Sequence, residues 1–179
     1  GITVGAEALT LNGTGISSDG ALRNISGTNV WQGTATLGSA VRINSDAGSL
    51  TFNTAANSIT ATNQNLTLGG AAGGTVSGTI TTGTGTLTKD GAGTWTLSGA
   101  NTYTGLTTVN DGVLDVSANG GLGTTAAGTL VNSPGSLRLS GGVAYNVNKV
   151  FSIGPQFTYN GFGASPLALK KSQLSATLP

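Results

Sequence analysis

The chain has 179 residues, which suits one domain or one segment of a longer repetitive molecule. Gly fills 31 positions without a G-X-Y period, which excludes collagen, while 37% hydrophobic residues with a net charge of only +1 argue against disorder. With no Cys and no His, disulfides, thiolate metal sites and the usual general base are absent, and seven scattered basic residues offer nucleic acid no counter-charge surface.

No apolar run approaches the roughly 20 residues that cross a bilayer, and no charged-then-apolar leader opens the chain. The absence of Met points to a portion of a larger precursor, and low charge without Cys fits a secreted bacterial protein.

In chain order, Leu9-Thr10-Leu11 gives the first inward, outward, inward beat, and Asn12-Gly13 closes it. A turn-rich link follows through Ser17-Ser18-Asp19-Gly20. The stretch from Ile25 to Gly33 shares the pattern S-G-x-N-x-[WY]-x-G with Leu97 to Gly105, displaced by 72 residues, and each copy is followed by an aliphatic residue, Leu37 or Val109. Gly48-Ser49-Leu50-Thr51-Phe52 and Asn65-Leu66-Thr67-Leu68-Gly69-Gly70 are short forms of a beat that is fullest at Gly93–Gly99. That beat recurs at Gly135–Gly141, displaced by 42.

The densest stretch runs from Gly85 to Gly123. Thr94-Trp95-Thr96-Leu97, Thr102-Tyr103-Thr104 and Val113-Leu114-Asp115-Val116 alternate there as strands do, and Asp90-Gly91, Ser98-Gly99, Asn110-Asp111-Gly112 and Asn119-Gly120 supply turns with positive φ. Phe151-Ser152-Ile153-Gly154 echoes Leu9–Asn12 at a displacement of 142. Read as about three, two and six turns of a coil, displacements of 72, 42 and 142 give 21 to 24 residues per turn and seven or eight coils.

Beats of three to five residues are too short for long hairpins, whereas stacked coils pair each with its copy one turn away, about 4.8 Å along the axis. Leu11, Ile43, Phe52, Leu68, Ile80, Leu87, Leu97, Val109, Val116, Leu139 and Ile153 are then expected to form inward aliphatic stacks, with Thr on the outer face. Trp31, Trp95 and Tyr103 are read as core or corner packing and not as a sugar-stacking site. From Val147 onward Gly and Thr thin out and bulky residues gather, so residues 1–146 are assigned to the repeat domain. Residues 147–179 are read either as a degenerate terminal coil that caps the stack or as a junction to a following unit.

The residues from Leu87 to Gly105, LTKDGAGTWTLSGANTYTG, continuing through Thr107-Thr108-Val109-Asn110-Asp111-Gly112, closely resemble the autotransporter-associated β-strand repeat, also called the passenger-associated transport repeat. The resemblance implies an all-β, right-handed parallel β-helix exported as the passenger of a type V secretion system or as part of a giant surface protein. Such passengers serve as stalks, adhesins and matrix fibres.

Little here points to chemistry. The acids are Glu7, Asp19, Asp46, Asp90, Asp111 and Asp115. Only Asp111 and Asp115 lie close in sequence, and they read as a turn former and an outward strand residue. The calcium-binding G-G-x-G-x-D pattern is missing. The T-x-T triplets at Thr79, Thr86, Thr94 and Thr102 start seven or eight residues apart, about a third of a coil, so they should fall on different faces and not form one ice-binding array.

We therefore expect no enzyme, no catalytic, cofactor-binding or metal site and no cofactor. The expected role is structural: a rigid extracellular rod at a bacterial surface or in a secreted fibre, stacking end to end into a homo-oligomer or filament. The alternative is an adhesin segment that binds host or matrix glycans. Neither nucleic acid nor a membrane span is expected.

Overall fold

The computed structural model describes residues 1–54, 56–141 and 151–153, the last three as backbone alone. After β1 (Thr3–Val4) the chain runs in laps. The first lap is β2 (Leu9–Gly13), β3 (Leu22–Asn24) and β4 (Thr28–Trp31), with a 3-10 turn at Ile16–Ser18. In the second, β5 (Ala35–Ser45) does the work of two strands before β6 (Ser49–Phe52). The third is β7 (Asn57–Ala61), β8 (Leu66–Gly69) and β9 (Gly73–Val76), and the fourth is β10 (Thr79–Thr81), β11 (Leu87–Lys89) and β12 (Thr94–Leu97). The fifth and sixth have two strands each, β13 (Thr107–Val109) with β14 (Val113–Val116), then β15 (Thr129–Val131) with β16 (Ser136–Leu139). Strand β17 (Phe151–Ile153) follows.

Every strand pairing among these residues is parallel and joins a strand to its copy one lap away. Three sides result. Side one carries β2, the first part of β5, β7 and β10; side two carries β3, the rest of β5, β8, β11, β13, β15 and β17; side three carries β1, β4, β6, β9, β12, β14 and β16. The fold is an all-β parallel solenoid of about six turns. On side three the partners Val30, Thr51, Thr75, Thr96, Asp115 and Arg138 are 21, 24, 21, 19 and 23 residues apart, which brackets the period read from the sequence.

Alternation along each strand decides what enters the core, because successive side chains point to opposite faces. Side three sends inward the file Trp31, Phe52, Val76, Leu97, Val116 and Leu139, and side two sends Ile43, Leu68, Lys89, Val109 and Val131. Of the eleven positions expected to stack inward, Leu11, Ile43, Phe52, Leu68, Ile80, Leu87, Leu97, Val109 and Val116 are buried and Leu139 is partly so; the side chain of Ile153 lies outside the described residues.

Four expectations need correction. The 72-residue displacement is three laps plus one side: Asn29-Val30-Trp31 lies in β4 on side three, whereas Asn101-Thr102-Tyr103 lies on the stretch that replaces side one in the fifth lap. The 142-residue echo likewise joins β2 on side one to β17 on side two, while the 42-residue displacement does join side-three strands two laps apart. Thr102–Thr104 forms no strand, although Tyr103 still points inward and is fully buried. Gly99 does not have a positive φ; a Cβ there would strike the Gly78 carbonyl, so close lap contact accounts for the glycine. The boundary between 146 and 147 lies outside the described residues.

Candidate functional site

The corner between sides two and three is the most distinctive part of the solenoid. Gly27, Gly48, Gly70, Gly91 and Gly112 take left-handed φ values there, lap after lap, so that the chain can leave one side and enter the next within a few residues. A Cβ at Gly48 would also strike the Gly27 carbonyl of the lap below.

Carbonyl oxygens around this corner are met by side-chain donors. Asn24 Nδ2 donates to Ala47 O at 2.8 Å, and Trp95 Nε1 donates to Gly69 O at 3.0 Å. Lys89 supplies three bonds: its Nζ donates to Gly91 O at 2.6 Å, Asp90 O at 2.9 Å and Asp111 O at 3.0 Å. The residue is 0% exposed and stands in the inward file of side two between Leu68 and Val109.

Burial is the main force on this ammonium and pushes its pKa down from 10.5 to about 8; the nearby Asp90 and Asp111 pull it up, and Arg42 pushes it further down. The sequence reading passed over this group. The signal was present, because the alternation Leu87-Thr88-Lys89 places the lysine on the same face as Leu87.

The acidic residues are placed mainly in ion pairs on the outer surface. Arg23 bridges Asp19 and Asp46, Asn44 Nδ2 donates to Asp46 Oδ1 at 2.6 Å, and Arg42 holds Asn44 Oδ1 at 3.2 Å and Asp90 Oδ2 at 2.7 Å. This chain of contacts runs from the first lap to the fourth. It can pass the third because Gly69 has no side chain there; a Cβ on it would strike the Arg42 guanidinium and the Asp90 carboxylate.

The Arg23 hydrogen bond, more than any other influence, holds the Asp46 carboxyl below its ordinary value, against an opposing effect of burial. Asp115 lies on β14 and accepts from Arg138 Nη2 at 3.0 Å, and the Asp111 carboxylate accepts from Gly112 N at 2.7 Å as the turn former expected. Glu7 is exposed. Asp111 and Asp115, the one pair near in sequence, thus take different partners.

Trp95 and Tyr103 are fully buried and Trp31 is half-buried, as packing residues should be. Tyr103 Oη shares a 2.7 Å hydrogen bond with Thr107 Oγ1, and burial drives its pKa upward despite that bond. Asn101 ties three laps together: its Oδ1 accepts from Ile80 N at 2.8 Å, and its Nδ2 donates to Gly121 O at 2.6 Å.

The T-x-T triplets in strands do separate by side, Thr79–Thr81 to side one, Thr86–Thr88 to side two and Thr94–Thr96 to side three. Lap stacking nevertheless aligns single threonines across laps. Thr10, Thr36, Thr60 and Thr81 form one file on side one, with 3.3 Å between the hydroxyls of Thr36 and Thr60. On side three, the file Thr51, Thr75 and Thr96 runs beside Ser49, Gly73 and Thr94, where Gly73 breaks the hydroxyl pattern.

Residues 87–116, which run from β11 through β14 and contain Lys89, Trp95, Asn101 and Tyr103, match the family model of the passenger-associated-transport-repeat. This stretch is similar to such a repeat throughout its length. It covers about a lap and a half, entering on side two of the fourth lap and leaving on side three of the fifth. The transport repeat therefore contains every group of the Lys89 cage. No curated protein and no solved structure matches the chain. Among the described residues no helix is long and apolar enough to cross a membrane, and no group of three or more acidic residues is placed to hold a metal ion.

Proposed function

We propose that this chain is a structural rod: a stiff solenoid segment of an exported surface or secreted bacterial protein, without catalytic activity, that adds end to end into a filament. The observation that carries the reading is the set of parallel ladders that follows sides two and three from β1 to β17, in a chain with a stretch that matches the passenger-associated transport repeat. Ladders along sides two and three, joined by side one through the fourth lap, bind each lap to the next through main-chain hydrogen bonds, so bending or shearing the stack breaks several bonds at once. The repeat family suggests a surface or secreted location.

In this reading the helix is right-handed, as the resemblance implies, and reaches seven or eight coils; β17, paired one lap beyond β15, supports a count above six. Parallel laps present unpaired strand edges wherever the stack ends, which is the physical route to end-to-end addition. The adhesin reading finds less support, because Trp95 and Tyr103, the aromatics of the transport repeat best suited to stack on a sugar, are buried.

Electron microscopy and small-angle scattering of the purified protein over a range of concentrations test the proposal. Rod-like particles that lengthen with concentration are expected. Monomers at every concentration would rule out the filament, and a compact scattering profile would rule out the rod.

A further inference from the structure

Lys89 is an unusual occupant of a solenoid core. Its neighbours in the inward file are Leu68 and Val109, yet no carboxylate pairs directly with its ammonium among the described residues. All three of its hydrogen bonds go to main-chain oxygens, Asp90 O and Gly91 O on the fourth lap and Asp111 O on the fifth. An ammonium has three hydrogens and no acceptor, so three carbonyls at 2.6 to 3.0 Å satisfy it in full. The oxygens are fixed by the corner itself, since Gly91 and Gly112 hold their left-handed φ through the turns of both laps. The carboxylates of Asp90 and Asp111 stand close enough to favour a cation there without touching it.

From this geometry we propose that the corner is a binding site for a primary ammonium ion, built from main-chain carbonyls of two successive laps and filled by the chain's own tethered cation. The site does for the fourth and fifth laps what a bound metal ion would do, drawing oxygens of separate laps onto one positive centre. It does so without dependence on the ions of the medium. Its selectivity follows from its parts. Three neutral oxygens at hydrogen-bond distance suit a monovalent N–H donor, whereas a divalent metal takes shorter contacts and more oxygen ligands.

Replacing Lys89 by Ala removes three methylenes and the ammonium, so the missing piece is n-propylammonium. The test measures the urea midpoint of Lys89→Ala against added n-propylammonium chloride, with n-propanol as the neutral analogue and potassium chloride at matched ionic strength. Lys89→Met fills the apolar channel without supplying a cation and serves as the second variant. Above its dissociation constant, each tenfold rise in n-propylammonium should raise the folding constant of Lys89→Ala about tenfold, while propanol and potassium chloride do not, and Lys89→Met should be insensitive.

If Lys89→Ala is unfolded in buffer, recovery of structure with propylammonium alone gives the same answer. An equal response to propanol would show a cavity and no cation site. An equal response to potassium chloride would show general screening, and no response to any of the three would also overturn the proposal.

Discussion

Raising the pH should stabilise this solenoid over a range in which most proteins gain nothing, and Lys89 is the cause. In the folded state its pKa lies at about 8, against 10.5 when exposed. Below pH 8 both states are protonated, and the three carbonyls offset only part of the cost of burying the charge. Between 8 and 10.5 the folded state has released a proton that the unfolded state still binds, so stability rises with pH. Above 10.5 both are neutral and the gain is complete. At about 1.4 kcal/mol per pH unit the whole gain is ~3 kcal/mol, of which ~2 kcal/mol is present by pH 9.5.

Tyr103 acts in the opposite direction. Its folded pKa is raised above 10, so its contribution is lost as pH climbs past that value, which makes pH 7 to 9.5 the range to use. Urea unfolding followed by tryptophan fluorescence should show the midpoint moving up by about 1 M across this range, for an m-value of about 2 kcal/mol/M. The same series on Lys89→Met subtracts every other titrating group and should lack the rise. A wild-type midpoint that stays level with that of Lys89→Met, or falls, would refute the buried-ammonium reasoning.

Other substitutions probe the packing between laps. Gly93→Ala places a Cβ against the Ala72 carbonyl, which cannot yield without separating the third and fourth laps. A loss of about 3 kcal/mol or more is expected in urea titration. Gly69→Ala meets only the ends of the Arg42, Asp90 and Asn44 side chains, so it should cost about 1 kcal/mol and break the Arg42–Asp90 ion pair, visible as loss of their coupling energy in a double-mutant cycle. Asn101→Ala removes two buried hydrogen bonds between laps and should cost about 2 to 4 kcal/mol, with faster amide exchange at Ile80, whose N–H loses its acceptor. Tyr103→Phe strips Thr107 of its hydroxyl partner and should cost about 1 to 2 kcal/mol by thermal melting, with the lap still closed because the ring remains.

Much of the fold was legible because a solenoid is built from local rules. Alternation in Leu66-Thr67-Leu68, Thr94-Trp95-Thr96-Leu97 and Thr107-Thr108-Val109 fixes which side chains face inward, whatever lies above or below. Asp90-Gly91 and Asp111-Gly112 mark corners for the same local reason, since glycine takes the left-handed turn at low cost. Spacing between similar beats then sets the lap length. It misled where two sides use the same residues: the S-G-x-N-x-[WY] pattern occurs in β4 on side three and again where side one would be, because glycine corners and alternation look alike on every side.

Strand, corner and inward file are each a property of a few neighbouring residues and follow from local order along the chain. Tertiary structure alone decided what meets across laps. Arg42 reaches Asp90 over Gly69, Asn101 joins Ile80 to Gly121, and Lys89 gathers carbonyls from two laps, between residues up to 48 positions apart. Those meetings depend on register between laps of 19 to 28 residues, and a slip of one residue between paired strands turns each partner to the other face while leaving every local pattern as it was.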